Sequence, residues 1–226
     1  MTDNTFEEGK ILLINKPLQW TSFDVVRKIR NTLKIKKVGH AGTLDPLATG
    51  LLVICTGKFT RKINEYMGQE KEYSGTFIAG AVTPTYDLES MPENFIPYHH
   101  LTHEAIVGAT KDFTGEIMQV PPSHSAIKQQ GKPVYLLARK GKEVQLEPRK
   151  ILIKEFEIVS VNLPEIKFRV VCSTGTYIRS LANDFGRSLG VGAYLGSLCR
   201  TRIGAFTIRD AQTIDDFVQQ YKQQNP

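Results

Sequence analysis

Gly39-His40-Ala41-Gly42-Thr43-Leu44-Asp45-Pro46-Leu47-Ala48-Thr49-Gly50 puts one carboxylate, Asp45, into a stretch that three glycines and a proline keep irregular. Pro46 fixes its own φ and pushes Asp45 toward an extended conformation. A basic segment, Lys34-Ile35-Lys36-Lys37, leads in, and an apolar run, Leu51-Leu52-Val53-Ile54-Cys55, leads out as a strand. An acid on a shaped loop between a cationic approach and a buried strand suits an active site. The same spacing suits an Asp that caps a turn, and the loop alone leaves both readings open.

The surrounding composition narrows the class. The 226 residues can bury a substantial core, and 41% hydrophobic with 23% charged residues is ordinary for a soluble globular chain. The net charge of +6 favours a polyanionic partner without requiring one. Cys55, Cys172 and Cys199 are scattered and odd in number, which indicates neither a disulfide framework nor a zinc site. A reducing, cytoplasmic setting fits them. The N-terminus is unlike a signal peptide, and no apolar run approaches a membrane span. No internal repeat or clear linker divides residues 1–226, so one domain is the simplest reading.

Working outward, Ile11 to Ile14 reads as a strand that ends at Asn15-Lys16-Pro17. Thr21 or Ser22 offers an N-cap for a helix to about Leu33, with Val25, Val26, Ile29 and Leu33 on its packed face. Arg27, Lys28, Arg30 and Lys34 occupy the other face and flow into Lys36-Lys37, a phosphate-facing ramp or an ordinary solvated surface. Thr56-Gly57-Lys58-Phe59-Thr60 has the outline of a phosphate-binding loop, but its glycine spacing is wrong and Phe59 follows the lysine, which excludes a nucleotide triphosphate site. Arg61 to Met67 reads as a short helix. Glu72 to Ile78 reads as a strand with Tyr73 and Phe77 on one face. Ala81 to Asn94 reads as loop, where Asp87 is either a second acidic site or a turn residue.

Further on, a helix is predicted from Thr102 to about Phe113. His99 and His103 have a spacing seen in metal sites, but no further ligands accompany them and no metal is expected. Gly115 to Val120, Ile151 to Val161 and Ile166 to Cys172 read as strands. Between the first two, Lys128, Lys132, Arg139, Lys140, Lys142, Arg149 and Lys150 surround Tyr135, a pattern that suits RNA contact or a charged hairpin. Ser173 to Arg179 is a strand-to-helix turn that carries Tyr177 and Arg179, and its helix runs to Leu189. Leu198 to Gly204 reads as strand or loop, Ala205 to Ile208 as a short strand, and Thr213 with Asp216 as the cap of a final helix.

Several chemistries are excluded. Asp45 has no second acid nearby for a glycosidase pair or a magnesium-dependent phosphoryl transfer. The zinc deaminase signature and the dinucleotide fingerprint are both missing. A cofactor-free reaction with an Asp nucleophile remains.

The Gly39–Gly50 stretch closely resembles the signature loop of the bacterial tRNA pseudouridine-55 synthases. The resemblance runs from Gly9-Lys10-Ile11-Leu12-Leu13-Ile14-Asn15-Lys16-Pro17 to Arg200-Thr201-Arg202-Ile203-Gly204. It includes Lys71-Glu72-Tyr73, Phe113-Thr114-Gly115-Glu116-Ile117, Ser125-Ala126-Ile127-Lys128 and Ser173-Thr174-Gly175-Thr176-Tyr177-Ile178-Arg179.

The resemblance implies an α+β fold: a mixed, mainly antiparallel sheet flanked by helices, with a central RNA-binding cleft and a basic RNA-gripping insertion at about 118–147. It implies a monomer that flips out uridine 55 of the tRNA T-arm stem-loop and isomerises it without metal or nucleotide cofactor. Asp45 would be the nucleophile, attacking either the sugar or the base. Arg179 would pair with Asp45 and keep it ionised, because an opposite charge nearby lowers a carboxylate's pKa. Tyr73, counted with Asp45 and Arg179 as catalytic, would stack on the flipped uracil and help move a proton; Leu198 would line the apolar side of the pocket, and Tyr177 would pack beside the base. His40 would fill the gap left in the RNA loop, and Lys16, Gly42 and Thr43 would complete the substrate-binding set. Many relatives carry a small C-terminal RNA-binding domain with no expected counterpart before Pro226. Without chemistry, the same surfaces would make a tRNA-folding chaperone.

Overall fold

A computed structural model describes residues 5–123, 128–129, 132–133 and 146–224. Most of the basic insertion, including Tyr135, Arg139, Lys140 and Lys142, lies outside them. The chain packs as two compact units, residues 1–74 with 198–226 and residues 75–197.

The first unit is built on β1 (Ile11–Lys16), β2 (Val38–Ala41) and β3 (Ala48–Thr56). β3 runs antiparallel to both others, with Leu13 opposite Val53 and His40 opposite Ile54. The helix α1 (Thr5–Glu8) precedes them. The helix α2 (Ser22–Leu33) starts at a reciprocal cap: Thr21 Oγ1 accepts from the Asp24 N–H and the Thr21 N–H donates to Asp24 Oδ2, both at 3.0 Å. It stops where Lys34 turns left-handed at φ 54°. Val25, Val26, Ile29 and Leu33 are buried as their spacing predicts, against Ile14, Leu52, Ile54 and Phe217. Each such side chain contributes roughly 1.5–3 kcal/mol.

After the 3-10 turn Gly57–Lys62, the helix α3 (Ile63–Met67) leads into β4 (Lys71–Ala79). Later in the chain, the residues of β10 (Ala193–Ile203) from Leu198 onward run parallel to β3, followed by β11 (Phe206–Thr207), β12 (Gln212–Thr213) and α6 (Ile214–Gln224). β12 pairs with β1, and Thr213 caps α6 through the Asp216 N–H at 3.1 Å, as expected.

Two expectations need correction. Gly39 to Ala41 are strand rather than irregular loop, because pairing with Ile54 and Cys55 satisfies their backbone while Val38 and Ala41 are buried. The irregular part shrinks to 42–47. The exit strand also begins at Ala48, three residues earlier than its apolar run, because Thr49 and Gly50 find partners in Cys199 and Arg200.

The second unit contains the C-terminal part of β4 and the helix α4 (His103–Ala109), with Thr102 as its N-cap. β5 (Gly115–Gln119) pairs antiparallel with β8 (Arg149–Asn162), and β8 with β9 (Glu165–Cys172). Two further short strands, β6 (Lys128–Gln129) and β7 (Lys132–Pro133), pair with each other. The helix α5 (Ile178–Ser188) covers an aromatic core where Phe77 stacks on Phe168 at 4.0 Å and Phe185 contacts Phe77 and Phe156. The architecture is therefore a mixed, mainly antiparallel sheet structure flanked by helices. Among the described residues no helix is long and apolar enough to cross a membrane.

Gly50 makes the β3–β10 pairing possible. Its φ is +106°, and a Cβ there would lie 2.4 Å from the Arg200 carbonyl oxygen. Gly50→Ala is expected to lose at least about 3 kcal/mol of stability in urea unfolding. Gly108→Ala, in α4 with nothing within 4 Å, is expected to gain about 0.5–1 kcal/mol in the same assay.

Candidate active site

The turn at 42–47 joins β2 to β3 and carries Asp45 half-buried. Its backbone is fastened from Gly42 to Pro46. Ser22 Oγ accepts from the Leu44 N–H at 2.9 Å and donates to the Leu44 carbonyl at 3.1 Å. The Ala48 N–H donates to the Asp45 carbonyl at 3.1 Å, and the Gln19 N–H to the Pro46 carbonyl at 2.8 Å. Gly42 opens the turn at φ +86°.

Two cations buried beneath the turn hold it from opposite ends. Arg200, 1% exposed, donates Nε to the Leu51 carbonyl at 2.8 Å, Nη2 to the Gly42 carbonyl at 3.0 Å and Nη1 to the Thr43 carbonyl at 3.4 Å. Lys16, 0% exposed, donates Nζ to the carbonyls of Trp20 at 2.5 Å, Pro17 at 2.9 Å and Pro46 at 3.4 Å. A buried cation is tolerable only when hydrogen-bonded, and carbonyl oxygens supply those bonds here. Burial pulls Lys16 down from 10.5 to about 8; the Asp45 charge opposes that fall and Arg200 adds to it. His40, half-buried on β2, is lowered first by burial and then by Arg200, so its imidazole is neutral at pH 7.

Other expected residues of the first unit lie on its strands. Leu198 is half-buried opposite Ala48, and its carbonyl accepts from Thr49 Oγ1 at 3.3 Å. Tyr73 is buried near the start of β4. Lys71, also buried, donates Nζ to the Met67 and Gln69 carbonyls at 2.6 Å each, which ties the end of α3 to that strand.

In the second unit, Tyr177 is the N-cap of α5 and Arg179 lies in its first turn rather than on the preceding loop. Arg179 is 5% exposed and points Nη1 at Asp87 Oδ2, 3.6 Å away, and at the Thr85 carbonyl at 3.4 Å. Asp87 is both an ion-pair partner and a turn residue, because its Oδ1 accepts from the Glu89 N–H at 3.0 Å. Thr83 and Thr85 donate their hydroxyls to the Asp87 carbonyl at 2.7 and 3.2 Å, which fixes the loop around it. Gln119 brackets the Tyr177 backbone, donating Nε2 to its carbonyl at 3.1 Å and accepting its N–H on Oε1 at 2.8 Å.

Ser22, Gln119 and Arg200 escape a reading of individual residues. Arg200 left a usable signal: it sits at an inward position of an apolar-bounded strand, where a charge demands partners. Among the described residues no three His, Cys, Asp or Glu side chains gather as a metal site. Cys55, Cys172 and Cys199 are free thiols, and burial pushes Cys55 up to about 11.

Residues 30–178 match the model of the TruB family pseudouridylate synthase, N-terminal domain. The chain is 52% identical over 224 residues to the tRNA pseudouridine synthase B of Flavobacterium johnsoniae, covering 96% of this chain and 98% of that one. The Parabacteroides distasonis protein of the same name is 50% identical over 224 residues, with 95% of each chain covered. Among solved structures, the chain is similar to one in a Cbf5–Nop10–Gar1 complex (30% identity, TM-score 0.76), covering 98% of this chain and 56% of that one. It is also similar to one in an H/ACA RNP bound to a substrate RNA containing 2′-deoxyuridine (27% identity, TM-score 0.74), covering 99% and 57%. The chain therefore spans just over half the length of those structural relatives.

The Arg200 fork reaches three carbonyls that an ammonium cannot reach together. Arg200→Lys is expected to lower stability by at least about 2 kcal/mol in urea unfolding. Lys16 yields a pH signature. Below about pH 8 its amine is charged in the folded and unfolded chain, and the fold bears the burial penalty. Between about 8 and 10.5 the folded amine is neutral while the unfolded one stays charged, so that penalty, roughly 3 kcal/mol, fades as pH rises. The stability of the unaltered protein relative to Lys16→Met is expected to climb through this window, as read by urea melts at several pH values.

Proposed function

The chain belongs to the TruB family of pseudouridylate synthases, and from that membership we propose that it isomerises uridine 55 in the T-arm stem-loop of tRNA. The observation that carries this reading is Asp45, presented on a turn whose backbone is fixed by Ser22, Lys16 and Arg200. The Lys16 and Asp45 charges attract one another, and an opposite charge nearby favours the ionised, nucleophilic form of a carboxylate.

The target uridine is flipped from its stack at a cost of a few kcal/mol. The Asp45 carboxylate then attacks the nucleotide, at the sugar or the base. The bond between N1 and the anomeric carbon breaks and leaves its electron pair on N1. The uracil turns, C5 joins the anomeric carbon, and the bond between Asp45 and the nucleotide breaks with its electron pair returning to the carboxylate. The proton on C5 is released to solvent while N1 ends protonated, so the product is an isomer and no cofactor is consumed.

Tyr73 stacks on the turned base, and Leu198 and Tyr177 pack around it. Arg179 supplies positive charge to the reaction, aligned by Asp87. His40, as a neutral ring, fills the gap that the flipped nucleotide leaves. Gly42 and Thr43 face the RNA beside Asp45, and Lys16 contributes through the Pro46 carbonyl. The exposed Lys34, Lys36 and Lys37 meet phosphates on the approach. The protein works as a cytoplasmic monomer, residues 1–226 forming one catalytic domain.

The test is a T-arm stem-loop labelled with tritium at uridine C5, incubated with the protein without metal or nucleotide. Stoichiometric tritium release is expected. Asp45→Asn is expected to reduce release below detection while RNA affinity stays within about threefold. Substantial release by that variant would remove Asp45 as the nucleophile. Tight binding without release by the unaltered protein would favour an RNA-folding chaperone.

A further inference from the structure

β5 contains one buried residue. Residues 115–118 are exposed or half-buried, whereas Gln119 is 2% exposed. A primary amide in that position must find both a donor and an acceptor. It finds them on a single residue, Tyr177, donating to its carbonyl and accepting from its N–H. The amide thereby imitates the peptide group of a neighbouring strand, and only this orientation avoids facing oxygen with oxygen. One residue further on, the Val120 carbonyl accepts from Ser180 Oγ at 2.8 Å. Three hydrogen bonds thus tie residues 119–120 to residues 177–180, and Arg179 lies between the tied positions.

The start of α5 needs this support. Tyr177 is extended (φ −103°, ψ 109°) and its side chain makes no capping hydrogen bond. Local capping therefore does not set the direction of the first turn. Two residues later, Arg179 must hold its guanidinium toward Asp87 and the Thr85 carbonyl.

We propose that Gln119 is a positioning residue for the reaction: its side-chain amide sets the backbone at Tyr177, and through it the helical turn that carries Arg179. This rests on the pseudouridine synthase reading. Gln119 is buried and acts through Tyr177, so its loss is a loss of alignment rather than of substrate contact. A misplacement of about 1 Å can cost roughly 100-fold in rate.

The experiment compares the unaltered protein with Gln119→Leu and Gln119→Glu. It reads single-turnover tritium release at saturating stem-loop RNA, RNA affinity by filter binding, and exchange of the Tyr177 amide proton by NMR. Gln119→Leu is expected to release tritium roughly 10–100-fold more slowly, with affinity within about threefold and Tyr177 exchange at least about 10-fold faster. At about pH 8, Gln119→Glu is expected to behave like the Leu variant, because its second oxygen faces the Tyr177 carbonyl. Below about pH 5.5 the buried carboxyl protonates, the donor returns, and its rate should recover relative to the unaltered protein at the same pH. That recovery occurs within one variant, so it decides the matter even if Gln119→Leu fails to fold.

A folded Gln119→Leu with native release rate or native Tyr177 exchange would overturn the proposal. So would a defect confined to RNA affinity, or a Glu variant whose relative rate ignores pH. Absence of release by the unaltered protein would overturn the functional reading and the catalytic part of this one together. The exchange measurement tells that result apart from a failure of the backbone clamp.

Discussion

The first unit depends on one electrostatic arrangement: two buried cations whose partners are backbone carbonyls rather than carboxylates. Carbonyl dipoles satisfy the hydrogen bonds of Lys16 and Arg200 without cancelling their charge. An ion pair in the same place would have neutralised itself. Here the positive field survives, and the Lys16 charge acts on Asp45 and, more weakly, on Asp24; in a protein interior such a field acts more strongly than in water. The cost appears in Lys16, which burial drives toward its neutral form and Asp45 draws back.

The second unit solves a similar problem by other means. Arg179 is buried against the carboxylate of Asp87, which accepts from the Glu89 N–H, while two threonine hydroxyls fix the Asp87 backbone carbonyl. A buried pair of this kind adds little net stability compared with apolar packing, and breaking one partner is costly. Its use is orientation. The aromatic stack of Phe77, Phe168 and Phe185 supplies the rigid floor on which α5, and with it Arg179, is carried.

Much of this was legible in the residues. The packed face of α2, its Thr21 cap, the strand character of the second unit's segments and the cap at Thr213 all follow from local spacing, because their energetics are local. The family and the mixed sheet architecture followed from ordered blocks of resemblance. What stayed hidden is long-range. The strand character of Gly39 to Ala41 exists only because β3 lies alongside, and the early start of β3 depends on a strand some 150 residues away in sequence. Residues 193–197, with Gly196 and Ser197 among them, have weak strand propensity and form strand only through their neighbours. Gln119 has no local signature, because its partner lies 58 residues on.

The manner in which the Asp45 turn is held separates shape from chemistry. Lys16 and Arg200 grasp oxygens that every residue possesses, so the grip is blind to the side chains the turn displays. The backbone of the turn and the side chains it displays can therefore drift independently. Side chains facing outward from 42–47 are free to be exchanged without remoulding the backbone, while a change in either hidden cation deforms the turn whatever it carries. A socket of this design tolerates new tools, and its own fixings are the part that does not bear alteration.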